Sequence, residues 1–515
     1  MPNNDYTRPD LNTFIRPALP ALLALPALLC AVALHASPVS GPDAPSAPSA
    51  PSAPSAPSAA VFAELPRVEQ LSLSPDGSSI AYLFNHKGSS YLTTQPVGGE
   101  PTAILVTDNK KYRFRRFRWV GNTRLLAGVT YPDYRQGVGT SETRMVAVDA
   151  NGDNLNGNLL ESAFRFSAPK HYPQLQDRVL GRSADGPDSV LVALDIERAT
   201  QPDVYSLDVP RARLTRVTYN TGGIYSWLAD RKGVVRVGSG WRDKDMRVIV
   251  RAPGETKWQT LATWTADDYA QQAERAITPL GFDAEGRYLY VYADHQGRQA
   301  LFKIDTADAT FARTLVHADP RFDLHGSPIW STWLKQYVGI DYAGEYGERV
   351  YWNDQAKTLQ DEIDRALPGK TNRIFNSSDD GMRLLVASGA PDAPATIYWL
   401  DRKTGKLSKV IDTRPGLAGQ PMVAPRAISF SGRDGTRLHG YLTPPWLSDG
   451  KPARAAHRAA ARRADGSRRG ALRCLHAIFR QPRLGGAADQ FPWLGRLRCR
   501  IRAGWLQALG HGDAG

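Results

Sequence analysis

Few residues of this chain stand in a pattern that does chemistry by itself. The three cysteines are Cys30, Cys474 and Cys499, so the long stretch between the first two can hold neither a disulfide framework nor a cysteine metal cluster. Aromatic and acidic residues offer more. Trp330 and Trp333 with Tyr337 have the types and spacing to line a central opening and stack on a ligand. The plainer reading makes them, like the other tryptophans, anchors of a core or a loop. Glu345 and Glu348 are carboxylates that could pair with a cationic group. No motif supports that role, and no catalytic, cofactor-binding or metal-binding residue is assigned from these patterns.

The elements that must position such residues form a repeated β-structure. Between Val61 and about Arg414 an apolar run ending in a polar turn keeps returning. Met145 to Asp149, Val204 to Asp208, Leu301 to Asp305 and Ile397 to Asp401 are its clearest copies, with fainter ones at Leu92 to Pro96, Val248 to Arg251 and Val350 to Asn353. The markers Pro96, Asp149, Asp208, Arg251, Asp305, Asn353 and Asp401 are separated by 53, 59, 43, 54, 48 and 48 residues. One four-stranded blade uses about that much chain and cannot bury its faces alone, so the period predicts an all-β fold, a β-propeller of about seven four-stranded blades. A second element recurs with it. Leu73 to Gly77, Phe282 to Gly286 and Ser377 to Gly381 each set an acidic residue and a glycine, the makings of a tight turn, before a strand. Helix signals are confined to Asp267 to Ala276 and Leu359 to Leu367.

The two ends differ from this body. Arg8 and Arg16 precede Ala18 to Leu34, almost wholly Ala, Leu and Pro, and then Ala36. Charge, apolar run and small-residue exit predict a signal peptide over 1–36 and a periplasmic or secreted location. Retention as an inner-membrane anchor is the alternative, against which stand the shortness of the run and the prolines Pro20 and Pro26 inside it. Residues 37–60 contain five successive Ala-Pro-Ser triplets, an extended spacer of roughly 45 Å at about 3.1 Å per residue. Residues 61–425 are the propeller, and 426–451 a two-stranded unit at its exit. The formal charge of +13 would suit nucleic acid or an anionic surface if it were spread over the fold. Residues 452–515, however, hold 13 of the 64 Lys and Arg against 3 of the 51 acids, leaving 51 against 48 before them. A body so nearly neutral predicts no nucleic-acid partner, and a membrane partner only if the N-terminal segment is retained.

The exit unit, Ala427 to Pro445, pairs apolar positions Ile428 and Phe430 with Leu438, Tyr441 and Leu442 around a Gly432-Arg433-Asp434-Gly435 turn. Together with the Leu-Ser-Pro-Asp-Gly turn at 73–77 and the phrase Ile277 to Phe282, it resembles the secreted prolyl-oligopeptidase-type serine peptidases of family S9. The branch resembled is that of the dipeptidyl-aminopeptidases and acylaminoacyl-peptidases, over roughly Val61 to Lys451. The resemblance implies a propeller over a C-terminal α/β-hydrolase domain, which the chain enters at 426–451. It also implies hydrolysis of short peptides through an acyl-enzyme, with no cofactor. The family's machinery is a serine in a Gly-x-Ser-x-Gly elbow, an acid, a histidine and an upstream His-Gly-Gly-Pro turn. No Gly-x-Ser-x-Gly occurs in the 515 residues. His325-Gly326-Ser327-Pro328 is similar to the oxyanion turn but lies inside the repeats, and it reads as a blade loop. No catalytic residue is therefore carried over, and the chain is expected to be the propeller part without its catalytic domain, and inactive. Ser-Pro-Asp-Gly turns also occur in non-enzymatic periplasmic propellers, which makes a non-catalytic binding module the alternative.

Residues 452–515 contain no Val, Thr, Lys, Glu or Tyr, with Ile478 and Ile501 as the β-branched residues. Buried parallel strands need the opposite composition. A basic arm, a disordered tail and a translation in the wrong reading frame compete to explain it. Phe491 to Leu497 can be encoded TTT CCG TGG CTC GGG CGG CTA, and one base later the same bases read Phe-Arg-Gly-Ser-Gly-Gly. Continued through Ala514, that shift can yield a phrase resembling the early hydrolase domain of the same family. The chain is thus expected to be truncated or frameshifted after about residue 451.

Overall fold

Strand formation is driven here by burial on both faces rather than by simple alternation. Ser189 to Leu194 and Leu125 to Val129 are unbroken buried runs, as expected of middle strands sandwiched between neighbouring sheets. The computed structural model describes residues 16–17 and 58–442, apart from 167, 266–274, 345–346, 421 and 432–436. Between 68 and 412 these residues form seven antiparallel sheets, followed by a two-stranded hairpin, Arg426–Ser431 with Arg437–Leu442. We number the seven sheets as blades: blade 1 spans 68–107, blade 2 113–149, blade 3 179–218, blade 4 224–265, blade 5 277–317, blade 6 326–351 and blade 7 371–412. Arg16–Pro17 adds a two-residue pairing to the outer edge of blade 1.

Apolar side chains join successive blades from 1 to 6, and the helix after blade 6 packs on blade 7. Leu83 and Leu105 of blade 1 share a core with Leu125 and Val129 of blade 2. Leu126 and Met145 of blade 2 meet Val190 and Leu207 of blade 3. Leu191 and Val204 of blade 3 meet Trp227 and Ile249 of blade 4, and the series continues through blades 5 and 6. Val68, Leu71, Ile80 and Tyr82 of blade 1 then pack with Leu385 and Ile397 of blade 7. The last blade thus touches the first, and the sheets form a closed ring, a β-propeller. The first strand of each blade lies innermost, where these strands meet one another across blade boundaries.

Five of the seven sequence markers, Pro96, Asp149, Asp208, Asp305 and Asp401, end third strands, while Arg251 and Asn353 lie one and two residues past the third strands Asp245–Val250 and Glu348–Tyr351. The three acidic-glycine turns join first to second strands in blades 1, 5 and 7. The expectation of four strands in every blade is corrected at two places. Blade 2 has three strands, and its second and third are lengthened to Arg124–Arg135 and Val138–Asp149. Blade 6 also has three, and the helix Asp354–Ala366 follows where a fourth strand was expected. Asn353 caps this helix by accepting from the Ala356 N–H at 3.0 Å, so it starts five residues before the predicted Leu359. Its buried Ala356, Gln360 and Ile363 recur at helical spacing, and Ile363 packs with Leu384, Val386 and Leu400 of blade 7. The predicted helix at Asp267 to Ala276 and the Gly432 to Gly435 turn lie outside the described residues, as do 37–57 and 443–515.

Four antiparallel strands return a chain to the face it came from, so the propeller is entered and left on one face. The Arg67 N–H donates to the Thr413 carbonyl at 2.7 Å, and the Arg414 guanidinium reaches the Glu64 carbonyl at 2.8 Å. The short helix Ala59–Ala63 buries Phe62, and the turn Pro415–Leu417 buries Leu417 close by. We call this the proximal face and its opposite the distal face. Tyr441 of the exit hairpin donates to the Gly344 carbonyl at 3.3 Å, which sets the hairpin over blade 6.

Candidate functional site

The innermost strands carry bulges that re-aim side chains out of the blade cores. In blades 1, 2, 4 and 7 the ladder between first and second strand slips at Gln70, Arg115, Tyr225 and Phe375. Each of these residues is exposed although its strand is innermost, so the four face the central opening. Gln70 also bridges two blades, donating to the Arg115 carbonyl at 2.8 Å. The Arg115 guanidinium grips the buried Asp177 carboxylate with contacts of 3.0 and 3.1 Å, and Thr143 Oγ1 donates to the same carboxylate at 2.8 Å.

A cavity of about 500 Å³ opens at the seam between blades 6 and 7, where the helix replaces a strand. Trp330, Trp333, Phe375 and Ser327 line one part of it, and Asp341, Arg349 and Arg373 another. Asp341 is 2.9 Å from the Arg349 guanidinium and bonds Arg373 as well. Burial pushes its carboxyl upward, but the bonds from Arg349 and Arg373 outweigh that and hold it below the usual carboxylate range. Arg349 also donates to Gln360 Oε1 and the Asn372 carbonyl, while its buried Nε has no acceptor among the described residues. The cluster carries one more positive than negative charge beside a cavity walled by two indoles and a phenyl ring. Such a wall suits an extended peptide segment, stacked on apolar faces and steered by guanidinium donors.

The sequence-predicted aromatics divide. Trp330 and Trp333 line the seam cavity, whereas Tyr337 is buried between blades 5 and 6 with Tyr290 at 4.5 Å and Trp330 at 5.2 Å. The Arg231 guanidinium lies 3.2 Å over the Trp330 ring, and Arg402 covers Trp333 at 4.0 Å, so both indoles are held flat by cations. Glu345 lies outside the described residues. Glu348 starts the third strand of blade 6, folded against the Gly344 backbone. The loop expected at His325 to Pro328 is corrected, since Gly326, Ser327 and Pro328 begin the first strand of blade 6. A Cβ on Gly326 would lie 1.8 Å from the Asp341 carbonyl, so that glycine serves the close approach of two strands.

The Asp341, Arg349 and Arg373 cluster was not visible in sequence, because its members come from three strands and no local spacing joins them. The run Arg113-Phe114-Arg115-Arg116-Phe117-Arg118 is legible in sequence as a charge pattern. Among the described residues no group of three or more His, Cys, Asp or Glu is placed to hold a metal ion, and no helix is long and apolar enough to cross a membrane.

No family model matches the chain. Dipeptidyl aminopeptidase BIII of Pseudoxanthomonas mexicana is 26% identical over 387 residues, which are 75% of this chain and 52% of that protein. The chain therefore spans about half the length of the curated relative it matches. Among solved structures, one from a study of two prolyl endopeptidases is 14% identical with a TM-score of 0.49, covering 75% of this chain and 56% of that one. A Mycobacterium tuberculosis puromycin-hydrolyzing peptidase is 16% identical with a TM-score of 0.45, covering 76% and 61%.

Proposed function

Over its propeller the chain is homologous to the S9-family serine peptidases of the prolyl-oligopeptidase type, and from that premise we propose that it derives from an enzyme hydrolysing short peptides. The observation that carries this is the 387-residue sequence match to a dipeptidyl aminopeptidase. In such an enzyme the ring admits peptides to a separate catalytic domain, and the seam cavity with its indoles and guanidiniums is where a peptide is held on the propeller. The fine specificity, aminopeptidase, dipeptidyl or acylaminoacyl, belongs to that catalytic domain.

This chain is the propeller part. Residues 452–515 are read one base out of frame, which accounts for their lack of Val, Thr, Lys, Glu and Tyr. The sequence of 1–36 directs the protein to the periplasm or beyond. Two measurements test the proposal. The locus, read one base over after about codon 452, should encode His-Gly-Gly-Pro and then Gly-x-Ser-x-Gly; their absence would sink the frame argument. The 515-residue chain should neither turn over dipeptidyl chromogenic amides nor take up a fluorophosphonate probe, whereas the frame-restored chain should do both.

A binding module is the second reading, supported by a body that has a peptide-sized cavity but no nucleophile elbow. A propeller made to work alone stays soluble when cut after residue 425. One made to meet a hydrolase domain exposes the surface it once covered, and aggregates.

A further inference from the structure

Beyond the seam cavity, the innermost strand of blade 2 carries an arginine that no described residue neutralises. The bulge at Arg115 resets the phase of the innermost strand of blade 2. Phe114, Phe117 and Trp119 pack into the core shared with blade 1, and the Trp119 indole N–H is fixed on the Ser72 carbonyl at 3.2 Å. Arg116, Arg118 and Val120 consequently point to the blade 3 side, where Val120 is buried. The cross-strand partner of Arg118 is the buried Leu126 of that same core, so its aliphatic stem lies on apolar surface while the residue stays partly exposed on the innermost strand, beside the opening.

Acidic partners in this region are few. Arg115 takes Asp177 at 3.0 Å, and Arg116 stands 4.0 Å from the same carboxylate. Arg118 makes no hydrogen bond, ion pair or ring contact with any described residue. Burial and then the neighbouring Arg116 depress its guanidinium pKa. A half-buried fork of donors with no acceptor is costly unless a ligand completes it.

We propose that Arg118, with Arg116 two residues before it on the same strand face, forms a carboxylate-binding subsite for a peptide lying in the propeller's central opening. The proposal rests on the peptide-handling reading above and adds the chemistry of the group recognised. That carboxylate is either the C-terminus of a short peptide or an aspartate or glutamate side chain. Either one is matched by a guanidinium fork better than by an ammonium.

The test is calorimetric titration of the full chain with three peptides: N-acetyl-trialanine as free acid, its C-terminal amide, and N-acetyl-Ala-Glu-Ala amide. One or both carboxylate peptides should bind at least tenfold tighter than trialanine amide, and which one does so identifies the source. Arg118→Met should erase that advantage while leaving the thermal midpoint unchanged or higher, since no internal partner is lost. Arg118→Lys should keep part of it. Equal binding of all three, or an advantage that survives Arg118→Met, overturns the subsite and leaves the peptide-handling reading intact. Binding of none overturns that reading. Acetate that then raises the thermal midpoint of the wild-type chain but not of Arg118→Met keeps the anion site, and its failure to do so overturns both.

Discussion

Arg182 and Asp379 form a two-pronged ion pair, with contacts of 2.6 and 3.1 Å, although they are 197 residues apart and belong to blades 3 and 7. Those blades are not neighbours in a seven-membered ring, so the pair must pass over the central opening. Arg182 ends a first strand, and Asp379 sits in a turn after one, which places the crossing at the distal face. The Asp379 carbonyl accepts from Lys335 of blade 6 at 3.1 Å, and its N–H donates to the Pro75 carbonyl of blade 1 at 2.7 Å. Four blades thus meet at one residue, and the pair spans the channel opposite the face by which the chain enters and leaves.

Both partners of that pair are more than half exposed, and exposed ion pairs contribute about 0–1 kcal/mol. Arg182→Ala should therefore barely move the urea midpoint. Its effect should appear as access: a cysteine placed at Ser226 on the channel wall should react faster with a bulky thiol reagent in Arg182→Ala than in the parent.

Asp341 sets a pH dependence of known sign. Its folded pKa lies below the unfolded value of about 3.9, so its contribution is complete above pH 4 and is lost as pH falls through the folded pKa. Asp341→Asn should cost about 3–5 kcal/mol at neutral pH by leaving Arg349 and Arg373 facing each other across the seam. The measurable signature is a shallower loss of stability as pH falls below about 4 than in the parent chain.

Gly281 marks a place where a methyl group does not fit. A Cβ there would lie 2.3 Å from the hydroxyl oxygen of Tyr337, whose ring is fixed by Tyr290 and Trp330. Gly281→Ala should destabilise by about 1–3 kcal/mol. Removing the oxygen with Tyr337→Phe should recover part of that loss, a coupling that thermal melts of the two single variants and the double variant would read out.

Ring closure depends on the contact of blades 1 and 7. Leu385 is fully buried there with Leu71, Ile80 and Tyr82, and the Leu73 N–H donates to Asn376 Oδ1 at 2.8 Å. Leu385→Ala should cost about 2–5 kcal/mol. If the ring opens at this seam first, hydrogen exchange should rise in blades 1 and 7 before it rises in blades 3 to 5.

Much of the architecture was legible because it is local. An apolar run ending in a polar turn marks a third strand in every blade, although two of the seven markers, Arg251 and Asn353, fall just past the end of theirs. The departures have local causes too. Asn353, read as the end of a strand, is also a helix cap, and a capped amphipathic run outcompeted a fourth strand in blade 6. The bulges at Gln70, Arg115, Tyr225 and Phe375 were not legible, because a bulge is a mismatch between two strands and neither carries it alone. Nor was Tyr337 separable from Trp330 and Trp333, since which side of a blade a residue faces depends on register.

By itself the sequence determined the repeat, the turn chemistry, the resemblance to serine peptidases and the lack of a Gly-x-Ser-x-Gly phrase in the 515 residues, for each is written in residues adjacent along the chain. Only the tertiary structure decided that Arg182 meets Asp379, that Asp341 draws two arginines into the seam, and that Arg118 has no partner among the described residues. Those outcomes arise when the ring closes and brings together strands from distant parts of the chain, a step governed by packing between blades rather than by any local preference.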